Sequence, residues 1–208
     1  MKASFSIIMP SYLGDYPTAA TNREEKLERA IKSVINQSYK KWELIIVSDG
    51  CNKTVEVAKK FTGDKRVRLF KIKKQKMWGG RVRNTGISKA VNDWIIYLDS
   101  DDSYNKDYLK NLNNEIDNTF DWFWLDEYSW DRGGKVFNVR TANVKRKGQC
   151  GTSNILHKKS LGLYWYVETR YALDDFMFIN LLKLTSKKYK KLKTVGYEVC
   201  HVPNLLDH

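Results

Sequence analysis

Apolar residues along this chain come in short unbroken runs, separated by stretches in which they recur at helical spacing. The clearest run is Trp94-Ile95-Ile96-Tyr97-Leu98, followed at once by Asp99-Ser100-Asp101-Asp102. No alternation leaves it a polar face, so it reads as a strand buried on both sides, with acids at its carboxyl end. Residues 5–9 form a similar run, with Pro10-Ser11-Tyr12 turning off its end. Residues 42–47 form another that stops at Ser48-Asp49-Gly50, and residues 67–72 a third. Between them lie helical signals. Thr21-x-x-Glu24 has capping-box spacing ahead of Leu27, Ala30, Ile31, Val34 and Ile35 on one face. Residues 53–61 offer Val55, Val57 and Ala58 for packing, and residues 81–91 follow the pair Gly79-Gly80. Asn105 is placed to cap a helix running to Asp117, with Tyr108, Leu109 and Leu112 on one side. Such regular alternation predicts an α/β fold with a mostly parallel, Rossmann-like sheet covered by helices on both faces.

The texture changes after Phe120. Residues 122–125 read as a strand, Gly133-Gly134 as a turn and residues 136–139 as a returning strand, predicting a smaller mixed sheet in the C-terminal half. Residues 148–153 read as loop, residues 173–184 as an apolar helix opening with Asp174-Asp175, and residues 197–201 as a last strand. No repeat or linker divides the chain, so residues 1–208 are expected to be one domain.

Composition refines this picture. With 42% hydrophobic and 29% charged residues the chain is globular in character, and its seven Trp and twelve Tyr are a generous share, most of which fits core packing, while extra aromatic surface fits a site that stacks sugars or bases. The net charge is +13, and two basic runs stand out: Lys71, Lys73, Lys74, Lys76, Arg81 and Arg83, then Lys183, Lys187, Lys188, Lys190, Lys191 and Lys193. They fit a polyanionic partner, an anionic membrane surface or a solvated lysine-rich face. Cys51, Cys150 and Cys200 are an odd number at wide spacing, which predicts no disulfide framework and a reducing, cytoplasmic setting. No transmembrane segment is expected, because no apolar run reaches the roughly 18 residues a span needs. Attachment at an anionic membrane surface would then be peripheral.

The acids at the strand ends carry the chemistry. In open α/β sheets ligands sit beyond the carboxyl ends of the strands. Asp99, Asp101 and Asp102 would repel one another by roughly a kcal/mol per pair unless a cation lay between them. A hard ion, Mn²⁺ or Mg²⁺, takes oxygen ligands of this kind together with substrate phosphates.

Ser-Ile-Ile-Met-Pro-Ser-Tyr, Glu-Leu-Ile-Ile-Val-Ser-Asp-Gly, Arg-Asn-Thr-Gly-Ile and Tyr-Leu-Asp-Ser-Asp-Asp, in that order, resemble family 2 of the GT-A-fold glycosyltransferases, closely over residues 4–105 and loosely beyond. The resemblance implies that residues 1–104 bind a nucleotide sugar and residues 105–208 the acceptor. It implies that Asp49 hydrogen-bonds the base, expected to be uracil, in a pocket lined by Pro10, Ser11 and Tyr12, although Ser48 stands where the family often has a second acid. Asp99-Ser100-Asp101 matches the D-x-D motif, Asp101 as the main metal contact and Asp99 toward the ribose or the metal. Asp102 would do either, or help start the next helix. Arg83, paired with Asn84, would neutralise the diphosphate or hold the D-x-D loop; a structural ion pair with Asp99 or Asp101 is the alternative, and Arg81 is a weaker candidate for the same role.

Asp174-Asp175 stands where the family has Glu-Asp, which implies that Asp175 is the catalytic base. The first turn of a helix would favour its charged form, while plain helix capping is the alternative. His201 lies where related enzymes place a metal-shell histidine; His157 and His208 have no implied role. The expected activity is inverting, metal-dependent transfer from a UDP-linked sugar to a saccharide or lipid-linked saccharide. Two other readings compete. Hydroxymethylated bases of duplex DNA would suit the charge as an acceptor, and a non-catalytic nucleic-acid-binding domain rests on charge alone, with no helix-turn-helix, zinc-finger or RNP-like pattern behind it.

Overall fold

The computed structural model describes residues 2–16, 22–76, 79–131, 134–167 and 173–200. Strand β1 (Phe5–Ser11), helix α1 (Arg23–Ile35), β2 (Trp42–Asp49), α2 (Asn52–Lys59), β3 (Val67–Ile72), α3 (Gly80–Lys89) and β4 (Trp94–Tyr97) follow the predicted alternation. Then come β5 (Ser103–Tyr104), α4 (Tyr108–Glu115), β6 (Trp122–Trp124), β7 (Glu127–Trp130), β8 (Phe137–Arg140), β9 (Ile155–Lys158), α5 (Leu173–Thr185), β10 (Tyr189–Lys191) and β11 (Tyr197–Glu198).

The main sheet has seven strands in the order β10-β6-β9-β4-β1-β2-β3. β1 to β4 run parallel, with Phe5 beside both Trp42 and Trp94, and β9 runs antiparallel between β4 and β6. A smaller sheet, β5-β11-β7-β8, mixes both senses. The unbroken apolar runs are explained by the two layers they serve. Successive residues point to opposite faces, so Ile7, Ile46 and Ile96 meet α1 and α4 residues such as Leu27, Ile31, Leu109 and Leu112. Ile8, Ile45 and Ile95 meet Val82 and Ile87 of α3 and Phe178 and Leu182 of α5.

Several local expectations change. β1 continues through Pro10 and Ser11 instead of turning there. Phe5 N–H points to β2 and Leu98 N–H reaches the Ile8 carbonyl on the β4 side. Alternation therefore puts the Pro10 nitrogen, which has no hydrogen, on the β4 side, where the ladder ends at Ile8 and Tyr97. Helix α1 starts after Asn22, which has left-handed backbone (φ 48°) and makes no side-chain cap; Thr21 lies outside the described residues. Asn105 does not cap α4, which begins at Tyr108 with Asp107 at the N-cap position; Asn105 directly follows β5, and its N–H donates to the Gly196 carbonyl at 2.9 Å. The strand over residues 122–125 joins the main sheet as β6, and the returning strand β8 pairs instead with β7.

Candidate active site

The carboxyl ends of the parallel strands β1, β2 and β4 open on one edge of the sheet, and Ser11, Asp49 and Asp99 lie at or just beyond these ends. Asp49, the last residue of β2, is buried. Its Oδ1 accepts the Gln75 N–H at 2.7 Å and its Oδ2 the Lys74 ammonium at 2.7 Å. Lys74 Nζ also lies 4.2 Å from the centre of the Tyr12 ring, so Asp49 and Tyr12 meet through this lysine. The following turn needs Gly50: its φ is +72°, and a Cβ there would lie 2.6 Å from the Lys74 nitrogen. Ser48 forms the same turn, donating to the Cys51 carbonyl at 2.7 Å and accepting its N–H at 3.2 Å. The Ser11 hydroxyl is 3.3 Å from that of Thr54, which also accepts the Leu13 N–H, while Pro10 is half-buried.

Beyond β4 the three acids separate by environment. The Asp99 side chain is 39% exposed, with its Oδ1 3.6 Å from Arg83 Nη2. Ser100 is half-buried in the turn, and the Asp101 carbonyl accepts a hydrogen bond from Arg29. Asp102 neither faces the site nor starts a helix. It is buried, its Oδ2 accepts the Tyr197 hydroxyl at 2.7 Å and its Oδ1 the Cys200 N–H at 2.9 Å, so it fastens β11 to the loop after β4. Burial first, then the neighbouring Asp101 and Asp99, push its carboxyl well above the usual range.

Arg83 joins the two halves of the site. Its Nη2 faces Asp99, its Nη1 lies 3.5 Å from Asp174 Oδ2, and its guanidinium sits 4.9 Å from the Trp165 ring centre. Of the partners weighed for it, the structure selects Asp99 and adds Asp174. Asn84 grips the backbone of Trp165 twice, its Nδ2 donating to the carbonyl at 2.9 Å and its Oδ1 accepting the N–H at 2.7 Å. Gly80 lets the start of α3 approach this segment, since a Cβ would lie 2.2 Å from the Tyr166 carbonyl oxygen. Trp165 stacks on Phe178 of α5 at 4.1 Å and 10°, which holds the opening of that helix against α3.

Asp175 follows in the first turn of α5, its Oδ1 accepting the Thr152 hydroxyl at 2.9 Å. Burial raises its pKa to about 6, with Asp174 and Asp99 acting in the same direction and Arg83 and Thr152 opposing. The expectation that the helix terminus favours the charged form is thus reversed: desolvation outweighs the exposed amides. A carboxylate titrating near neutrality suits proton transfer better than one held at 3.8.

Among the described residues no group of three or more His, Cys, Asp or Glu side chains converges to hold a metal. His201 and His208 lie outside the described residues. His157 is a core residue of β9, bonded to the Tyr97 hydroxyl at 2.8 Å. The basic runs are partly used internally: Lys74 on Asp49, Lys191 on Asp126 at 2.7 Å, Lys71 on Asn52 at 2.6 Å and Lys183 on the Val144 carbonyl. Sequence reasoning missed Lys74, Trp165 and Thr152. Only Trp165 carried a signal, as one aromatic among Leu163, Tyr164 and Tyr166 ahead of the acidic pair.

Acids at the ends of parallel strands, an arginine from a helix beside them and an acidic pair opening a late helix are carried on a mixed α/β sheet of the GT-A glycosyltransferase type. The family model described as Glycosyl transferase family 2 matches residues 6–180, and the chain belongs to that family. It is 40% identical over 116 residues to an uncharacterized glycosyltransferase of Haemophilus influenzae, covering 54% of this chain and 42% of that protein. It is 37% identical over 114 residues to poly(ribitol-phosphate) beta-N-acetylglucosaminyltransferase TarP of Staphylococcus aureus, covering 52% and 32%. The chain thus spans less than half the length of these two curated relatives. In fold it resembles S. aureus TarS 1–349 in complex with UDP-GlcNAc, with a TM-score of 0.74 and 19% identity over 94% of this chain and 58% of that one. It also resembles the mannosyltransferase PcManGT from Pyrobaculum calidifontis in complex with GDP-Man and Mn²⁺, with a TM-score of 0.66 and 12% identity over 94% and 56%.

Proposed function

We propose that the chain is an inverting, metal-dependent glycosyltransferase moving a sugar from a UDP-linked donor to a saccharide hydroxyl. The observation that carries the reading is the Asp99–Arg83–Asp174 chain, which puts a cation between the D-x-D loop and the helix that begins with Asp174-Asp175. Residues 1–104 hold the donor, with Asp49 toward the base and Pro10, Ser11, Tyr12 and Ser100 lining its pocket. Residues 105–208 hold the acceptor. Lys74 occupies Asp49 and gives way when the base binds. Arg83 turns toward the diphosphate, where its fork suits phosphate oxygens.

A divalent ion fits the exposed Asp99 carboxylate, whose 3.6 Å separation from Arg83 is longer than a hydrogen bond. Asp99 and Asp101, with His201, would hold Mn²⁺ or Mg²⁺, which when bound supplies positive charge against the diphosphate. Asp175 takes the proton of the acceptor hydroxyl. The acceptor oxygen then bonds to the anomeric carbon from the face opposite the leaving group, the bond to the diphosphate breaks, and UDP departs with the electron pair.

The UDP-GlcNAc bound by TarS supports a UDP-linked donor, and the acceptor in the name of TarP supports a saccharide or polyol-phosphate acceptor rather than DNA. The test is a panel of nucleotide sugars incubated with Mn²⁺ and saccharide, lipid-linked or hydroxymethylated duplex DNA acceptors, read by nucleoside diphosphate release and mass spectrometry. Release of UDP with sugar added to a saccharide, lowered by orders of magnitude to a small residual rate in Asp175→Asn, is expected. No diphosphate release from any donor overturns the transferase reading, and glycosylated DNA overturns the acceptor assignment.

A further inference from the structure

Beneath Asp175 lies a turn more heavily braced than a surface loop requires. The Gly151 N–H donates to Asn154 Oδ1 at 2.9 Å and the Asn154 N–H to the Gly151 carbonyl at 3.1 Å. Asn154, 1% exposed, donates from its Nδ2 to the Leu125 carbonyl at 3.0 Å and to Glu127 Oε2 at 3.0 Å. The Ser153 hydroxyl donates to the same Glu127 oxygen. Glu127, fully buried in β7, is balanced by Arg140 of β8, whose Nε lies 2.7 Å away. A buried carboxylate and a closed ring of hydrogen bonds thus hold residues 151–154 in one shape. The side chain they orient is Thr152, buried and β-branched, so its χ1 has few settings. Its hydroxyl hydrogen goes to Asp175 Oδ1.

We propose that Thr152 is a positioning residue for the reaction, holding Asp175 Oδ1 so that Oδ2 faces the acceptor hydroxyl over the open side of Gly151. This rests on the reading of Asp175 as the base. Among the described residues Oδ2 accepts no hydrogen bond, and a Cβ on Gly151 would stand 3.6 Å from it, so the missing side chain leaves that approach clear. One oxygen is held and the other accepts no hydrogen bond from the described residues, which gives the incoming hydroxyl one lone-pair direction to meet. The proton moves from the acceptor oxygen to Oδ2, and the acceptor's electron pair forms the new bond to the anomeric carbon as the bond to the diphosphate breaks. Among the described residues the charged groups acting on Asp175 are Arg83 from α3, Asp99 from the loop after β4 and Asp174 from α5; the Cys150 thiol, pushed up to about 12 by burial, stays neutral beside it.

The experiment compares wild type, Thr152→Val, Thr152→Ser, Asp175→Asn and the double variant Thr152→Val/Asp175→Asn. It reads kcat, acceptor and donor KM, the pH dependence of kcat, and UDP affinity by calorimetry. Thr152→Val should lower kcat by roughly 10- to 100-fold, leave UDP affinity unchanged, and move the acid limb of the pH profile upward because a donor to the carboxylate is lost. Thr152→Ser should restore kcat to within a few-fold. In the Asp175→Asn background Thr152→Val should change kcat by less than about twofold, since both act through one carboxylate. Equal losses in both backgrounds, or a wild-type kcat and pH profile in Thr152→Val while Asp175→Asn keeps only a small residual rate, overturn the inference and leave the transferase reading standing. Wild-type activity in Asp175→Asn overturns the base assignment and the inference with it. Should Thr152→Val fail to fold by circular dichroism, Thr152→Ala carries the same comparison.

Discussion

The buried imidazole of β9 makes stability depend on pH in a way that can be worked through. His157 Nδ1 faces the Lys158 carbonyl at 3.1 Å, and since a carbonyl only accepts, this nitrogen carries the hydrogen. Nε2 is then the acceptor for the Tyr97 hydroxyl, which itself accepts the Trp165 Nε1–H at 3.0 Å. A second proton on Nε2 would oppose the Tyr97 hydrogen in a buried site, and burial lowers the His157 pKa from 6.5 to about 4. Below pH 6.5 the unfolded chain takes up this proton and the folded one does not, so stability falls as pH falls toward about 4. Between pH 7 and pH 5 the loss is about 2 kcal/mol.

Asp175 acts in the opposite sense over the same interval. Its folded pKa of about 6 lies above the ordinary 3.8, so its contribution is complete below 3.8 and disappears as pH rises through 6. It returns about 1 kcal/mol between pH 7 and pH 5. Asp102, whose carboxyl burial also pushes up, acts in the same sense as Asp175, so the wild-type profile is a sum of opposed contributions and the histidine shows only by difference. Urea unfolding followed by tryptophan fluorescence at pH 7 and pH 5 is the assay, on wild type and His157→Gln, whose amide oxygen can accept from Tyr97. The variant is expected to be less stable at pH 7 by about 1–3 kcal/mol, and the gap should narrow by about 2 kcal/mol at pH 5. A gap that stays constant with pH, or an imidazole titrating above 6 by NMR, refutes the reasoning.

Three further outcomes are expected. Gly80→Ala places a methyl group on the Tyr166 carbonyl oxygen, 2.2 Å away, and should cost about 1–3 kcal/mol, seen as a lower Tm; an unchanged Tm refutes the close packing of α3 on residues 165–166. Asp49→Asn should weaken UDP binding by about tenfold in calorimetry, the expected effect of replacing one charge-assisted hydrogen bond, whereas unchanged affinity removes Asp49 from the nucleotide pocket. EDTA should abolish transfer and Mn²⁺ restore it; activity that survives exhaustive chelation refutes metal dependence.

The half of the fold that was legible from residues is the half whose strands are buried on both faces. β1, β2 and β4 need partners on two sides, and the unbroken apolar runs that meet this need can be read without knowing those partners. β9 could not be read that way. Its four residues, Ile155–Lys158, include a histidine and a lysine, and the groups that make them acceptable, Tyr97 and Asp121, lie far off in sequence. β7 failed for a similar reason, since Glu127 reads as surface until Arg140 folds back across the hairpin.

The site divides in the same way. The acids at strand ends were legible as motifs. Their environments were not: Asp102 looked like its neighbours until Tyr197 and Cys200 closed over it, and nothing near Asp175 in sequence shows that it is buried beside Thr152. Lys74 belongs to a basic run that fits a polyanionic partner, an anionic membrane surface or a solvated face, and charge alone gives no sign that Asp49 claims it.

The antiparallel strand in the middle of the main sheet has a consequence for synthesis. Tyr97 leaves the ribosome 60 residues ahead of His157. At typical elongation rates that is about 3 to 12 s during which β4 presents Trp94, Ile95 and Ile96 on an unpaired edge. A nascent chain stalled in that interval is an open template for a neighbour's strand, so recovery of native protein should depend on translation speed and chaperone supply through this interval.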